Sequence, residues 1–173
     1  MAYAIATPSL GYPKIGVVHD SALVPVGTQC RAFDPTYGEG EFIFLRGSAS
    51  IFAGALCYYN DNATADTAKL TTTSGVVDGG SPVCVATAAI IANKYGWFQI
   101  GGKALVYKTA TKIDPASTFK VYLSATAGRA MPTSVAGRQV IGARFAAAAT
   151  VTTTTSTCVV TLNRPSQKTG TLV

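Results

Sequence analysis

Glycine and proline interrupt this chain so often that it has room for strands and turns but not for helices. Pro8, Pro13, Pro25 and Pro35, with Gly11, Gly16 and Gly27 between them, punctuate the first 35 residues. A proline inside a helix removes a hydrogen bond and collides with the preceding turn. Nothing longer than a short strand, such as Ile15–Val18, fits there. From Gly38 onward, short apolar and β-branched runs alternate with Gly-, Ser- and Thr-rich breaks, and no stretch repeats its apolar residues at helical spacing. That pattern belongs to all-β architectures. The expected fold is therefore a single β-barrel or β-sandwich domain over residues 36–173, with residues 1–35 as an extended N-terminal arm. On the arm, Tyr3, Ile5, Leu10 and Tyr12 are apolar anchors that need a surface to lie on.

Individual strands can be read from their periodicity. Glu41–Arg46 is an apolar run with charged ends, and Thr155–Leu162 sets Cys158, Val160 and Leu162 against Thr157, Val159 and Thr161. Tyr95–Ile100 places Phe98 and Ile100 on one face and Tyr95 and Trp97 on the other. Ala55–Tyr59, Lys69–Thr73, Phe119–Ser124 and Gln139–Phe145 complete the set. Between Ile100 and Lys103 stands Gly101-Gly102, which predicts a tight hairpin turn, because glycine takes positive φ without penalty.

With 48% hydrophobic and only 13% charged residues, the chain is too apolar to be disordered and has few charges to cover its surface. The longest apolar stretch, Val83 to Ala92, is far short of the ~20 residues that cross a bilayer. The N-terminus lacks the basic-then-apolar order of a secretory leader, so neither a membrane partner nor secretion is expected. Cys30, Cys57, Cys84 and Cys158 show no paired metal-ligand spacing, and the one histidine, His19, is remote from them. Buried free thiols are expected rather than disulfides or zinc. Charge is lopsided: residues 1–90 hold four basic and seven acidic residues (4 − 7 = −3), and residues 91–173 hold ten basic and one acidic (10 − 1 = +9). A basic face that meets an acidic partner is one reading of this split.

Residues that could carry catalysis are few. His19-Asp20-Ser21 has the residue types of a hydrolase triad, but adjacent positions cannot orient one another as that mechanism requires. Glu39 and Glu41 share one side of a strand and would suit acid–base work on a sugar, although exposed edge charges look the same in sequence. Tyr95 and Trp97, near Lys94 and Lys103, resemble a stacking platform for single-stranded nucleic acid, but no arginines are interleaved with them. The expectation is a non-enzymatic protein with no catalytic, cofactor or metal site. Nucleic acid is not the expected partner, and Tyr95 and Trp97 are read as packing or subunit-contact residues.

Four segments carry a likeness to a known family: GEGEFIFLRG at 38–47, VCVATAA at 83–89, ANKYGWFQIGGKA at 92–104 and VIGARFAAA at 140–148. Together they resemble the capsid decoration, or cement, proteins of tailed phages. The resemblance implies a β-barrel or β-sandwich on the outer capsid surface of a virion, made in the host cytoplasm, bound to the major capsid protein and often trimeric. The contact residues expected on that reading are Tyr3, Ile5, Leu10, Tyr12, Tyr95 and Trp97. The alternatives are a head-fibre or tail component that recognises a host, and a carbohydrate-directed β-sandwich enzyme built around Glu39.

Overall fold

A computed structural model describes residues 4–5, 11–59, 67–70, 80–109, 119–146 and 157–167. It is all-β, with no helix among the described residues. The strands are β1 (Ala4–Ile5), β2 (Gln29–Asp34), β3 (Gly38–Gly47), β4 (Leu56–Tyr59), β5 (Thr67–Leu70), β6 (Val83–Ala86), β7 (Tyr95–Tyr107), β8 (Lys120–Leu123), β9 (Ala130–Met131), β10 (Gln139–Phe145) and β11 (Thr157–Gln167). They form one sheet in the order β1-β2-β3-β5-β4-β6-β7-β11-β10-β8-β9, antiparallel throughout except for β3 with β5. An additional β3–β7 pairing brings β3, β5, β4, β6 and β7 round on themselves, while the sheet as a whole stays open at β1 and β9. The result is a barrel-like β domain.

Its interior has three parts. Ile43, Leu45, Phe98 and Ile100 pack with Cys57, Cys84 and Ile90 inside the β3–β7 ring. The same face of β7 continues into a second cluster, where Ala104 and Val106 meet Val121, Leu123, Val140, Phe145, Cys158, Val160 and Leu162. The opposite faces of β3 and β7 carry Phe42, Phe44 and Trp97, and these are covered by Ile15 and by Cys30 and Ala32 of β2. Because β3 is buried on both faces, Phe42-Ile-Phe-Leu45 reads as a continuous apolar run rather than an alternation.

The hairpin predicted at Gly101-Gly102 does not form. Both glycines lie inside the single strand β7, which runs unbroken for 13 residues. Residues on its first half pair with β3, those on its second half with β11, and Gly101 faces both Glu41 and Asn163. The β3 pairing slips by one residue here, as in a β-bulge. Gly102 supplies the bend with φ +83°, and the backbone of Glu39–Gly40 passes directly over it. The glycines are needed for close approach and for the bulge, not for a turn.

The N-terminal region also differs from a free arm. Gln29–Asp34 is a full sheet strand, β2, paired along its length with β3. The hairpin between them is closed by Asp34, whose buried carboxylate oxygen accepts hydrogen bonds from the Thr36 and Tyr37 amides at 2.8 and 2.9 Å. Ile15–Val18 forms no strand; the single bridge nearby is made by the next residue, His19, to Tyr95.

Candidate functional site

Of the six expected contact residues, Tyr3 and Leu10 lie outside the described residues. Ile5 sits in β1, paired with Ala32 at the sheet edge. Tyr12, Tyr95 and Trp97 come together in one cluster of the chain's own fold, with Tyr12 and Tyr95 half-buried. Trp97 is wholly buried, its ring edge-on to Phe44 at 5.2 Å and tilted against Tyr12 at 6.0 Å. Its indole N–H donates to the Pro13 carbonyl at 2.8 Å. Tyr95 stacks on Phe44 at 6.2 Å with 12° between the rings. Trp97 therefore offers no surface to another subunit or to a nucleobase. It serves as the floor on which residues 12–15 of the same chain are laid.

The other sequence candidates separate in the same way. Asp20 pairs with Lys94 at 2.9 Å and not with His19. That hydrogen bond and the charge of Lys94 lower the carboxyl's pKa. Glu39 and Glu41 do share one side of β3, and both reach Arg31, at 3.6 and 3.3 Å. Glu41 also receives the Arg164 guanidinium at 3.2 Å, and Arg164 in turn donates to the Gln29 side chain. Arg164 stands at φ +41°, a region that non-glycine residues seldom occupy. A cleft of about 260 Å³ beside this network is lined by Arg31, Glu39, Glu41, Gly102 and Asn163. Both carboxylates are held by guanidinium groups in largely exposed pairs, each worth at most about 1 kcal/mol. No group of three or more His, Cys, Asp or Glu among the described residues is placed to share a metal ion.

A feature that sequence reading did not find is a row of basic side chains across the second half of the sheet. Lys103 on β7 lies opposite Thr161 on β11, Thr161 opposite Arg144 on β10, and Arg144 opposite Lys120 on β8. Residues directly opposed in a sheet project from the same face. Lys103, Arg144 and Lys120 are all exposed, while the neighbours Ala104, Val160, Phe145 and Val121 point into the core. At about 4.8 Å between strands, the three charges fall within roughly 15 Å. Arg144 and Lys120 face each other directly, an arrangement that costs stability unless an anion relieves it.

No protein-family model matches the sequence, and no curated protein or solved structure matches it either.

Proposed function

We propose that the chain is a structural virion protein that docks on the outer surface of a tailed-phage capsid and stabilises the shell, as its resemblance to decoration proteins implies. The observation that carries this reading is the basic row of Lys103, Arg144 and Lys120. It gathers three of the ten basic residues of the chain's second half onto one exposed face of the sheet. Such a face suits a broad acidic partner, and an acidic capsid exterior built from the major capsid protein is that partner. Apolar contact would come from the sheet edge at β1 and β2. There the first strand of the chain lies beside Phe33, which is 53% exposed. Strand edges of this kind add to neighbouring chains through main-chain hydrogen bonds.

The test is binding to heads that lack this subunit, measured for the native chain and for the triple variant Lys103→Glu, Arg144→Glu, Lys120→Glu. Exposed substitutions of this kind change folding stability by only about 0.5 kcal/mol each, so melting should be nearly unchanged. Binding of the native chain is expected to weaken as salt rises past about 0.15 M, where the screening length falls to ~8 Å. The variant should bind at least about tenfold more weakly at low salt, a loss of ~1.4 kcal/mol, and should lose the salt dependence. Equal occupancy and an equal salt response for the two proteins would remove the basic row from docking. A copy number of a dozen or fewer per particle would favour a tail or fibre part instead.

A further inference from the structure

We infer that Cys57 and Cys84 are a built dithiol, which closes to a cross-strand disulfide joining β4 to β6 when the chain folds in contact with a small-molecule disulfide. The two residues are direct partners in the β4–β6 ladder, between Leu56↔Val85 and Tyr58↔Val83. Hydrogen bonds run from the Ala86 amide to the Ala55 carbonyl at 3.0 Å and from the Tyr59 amide to the Pro82 carbonyl at 3.1 Å. Cys57 and Cys84 fall midway between these, in the hydrogen-bonded class of antiparallel pairs, where Cα atoms stand about 5.5 Å apart. That separation lies inside the ~4.4–6.8 Å window that a disulfide spans, while the Cβ atoms of an opposed pair start about 4.5–5.5 Å apart and must close to about 3.5–4.5 Å, so the bond draws β4 and β6 together by up to ~1 Å. Opposed residues share a face, and both side chains are wholly buried in the same apolar cluster.

Neither of the other two cysteines is placed to pair with them. Cys30 belongs to the cluster around Phe42 and Trp97, and Cys158 to the one around Val106 and Val160. Sheet backbone separates these clusters. All four thiols are free in the structure. Burial raises the Cys84 thiol well above the ordinary range, and its hydrogen bond with Cys57 adds to the effect. Burial likewise pushes Cys158 up to about 12 and Cys30 up to about 11. Thiolate is the attacking species, so in the closed fold the pair is inert. It reacts while β4 is still undocked or transiently open.

The step balances as thiol–disulfide exchange. One cysteine thiolate attacks a sulfur of the small disulfide, forming a mixed disulfide and releasing one small thiolate. The second cysteine gives up its proton and attacks the protein-bound sulfur, releasing the other. The protein pair is oxidised by two electrons, and the small disulfide becomes two thiols after taking up the two protons. The product ties together the ends of the segment between residues 57 and 84.

The experiment refolds the full chain from denaturant in a buffer of reduced and oxidised glutathione. It is then quenched in acid, alkylated and digested with trypsin. Cleavage at Arg46, Lys69 and Lys94 puts the two cysteines on separate peptides, 47–69 and 70–94. The expected result is one dominant cross-linked species that joins these peptides, with Cys30 and Cys158 recovered as thiols. The refolded protein should melt about 5–10 °C above its reduced form. The Cys30→Ala, Cys158→Ala variant should give the same cross-link. Native protein that returns from this buffer with four thiols, or a dominant disulfide or glutathione adduct at Cys30 or Cys158, would overturn the inference.

Discussion

Gly102→Ala should lower the melting temperature by about 6–12 °C, and Gly101→Ala by only about 2–4 °C. The two glycines are neighbours in one strand, so the contrast isolates what each does. Gly102 stands at φ +83°, where a Cβ costs about 1–2 kcal/mol by itself. The added methyl would also press into the Glu39 carbonyl oxygen and sit 2.9 Å from Gly40 Cα, and both of these are backbone atoms paired within the sheet. Overpacking against backbone that cannot yield costs about 1–3 kcal/mol, so the sum is on the order of 3 kcal/mol. For a domain of this size each kcal/mol is worth ~2–4 °C. Gly101 has no positive φ, and its added Cβ would meet Glu41 Cβ at 3.1 Å and Glu41 Cγ and Oε2 at 3.2 Å; a rotamer change moves the last two, and the first needs β3 to give by a few tenths of an ångström. Its cost should be about 1 kcal/mol, the low end for overpacking. Thermal melts of the two single variants check this. Equal losses would mean that the doublet works as a unit, as a turn would.

That comparison also shows which signals were legible in the sequence. Two apolar runs split by Gly-Gly look like a hairpin because sequence records the permissive backbone but not the reason for it. Here the reason is a third segment, β3, crossing at Glu39–Gly40, and that is a tertiary fact. Strand β2 was hidden for a different reason. Its inward residues are Cys30, Ala32 and Asp34 and its outward ones Gln29, Arg31 and Phe33, so its hydrophobic alternation is weak and partly inverted. The inward Asp34 is tolerated because it closes the hairpin. Where the inward residues are large and the outward ones polar, the pattern holds: in β11, Cys158, Val160 and Leu162 are buried as their period-two spacing predicts. The run from Phe42 to Leu45 was equally visible, since burial on both faces makes it apolar throughout.

The basic row was harder to read for a related reason. Net charge by halves was plain, but Lys103, Lys120 and Arg144 sit on three strands, and no spacing along the chain relates them. Only the registers of three ladders put them in one row. The Cys57–Cys84 pairing is concealed in the same way, because strand order and register decide which distant cysteines meet. Packing was one of the two roles read for the aromatic candidates, but sequence does not say what they pack against. Trp97 and Tyr95 were recognised as chemically distinctive, yet composition does not reveal that residues 12–15 already occupy the surface above them.

Trp97→Ala should cost about 4 kcal/mol of stability, the value for emptying a large, fully buried aromatic site, or roughly 8–16 °C in melting temperature. The ring has no exposed surface and fills the space between Phe44, Tyr12 and Ile15. Its removal leaves a cavity under the N-terminal segment and an unpartnered Pro13 carbonyl. Trp97→Phe separates these two effects. It keeps most of the apolar contact but deletes the indole N–H, so its melting loss should be about 1–2 kcal/mol. Its clearer signature should be faster tryptic cleavage after the exposed Lys14, because the segment is held down next to that residue. Both losses should be independent of protein concentration, since Trp97 packs within its own chain. A melting loss that disappears in dilute protein would return Trp97 to the subunit interface. A Trp97→Phe variant cleaved at Lys14 no faster than the native chain would show that the apolar contacts of Tyr12 and Ile15, without the Pro13 hydrogen bond, are enough to hold the segment in place.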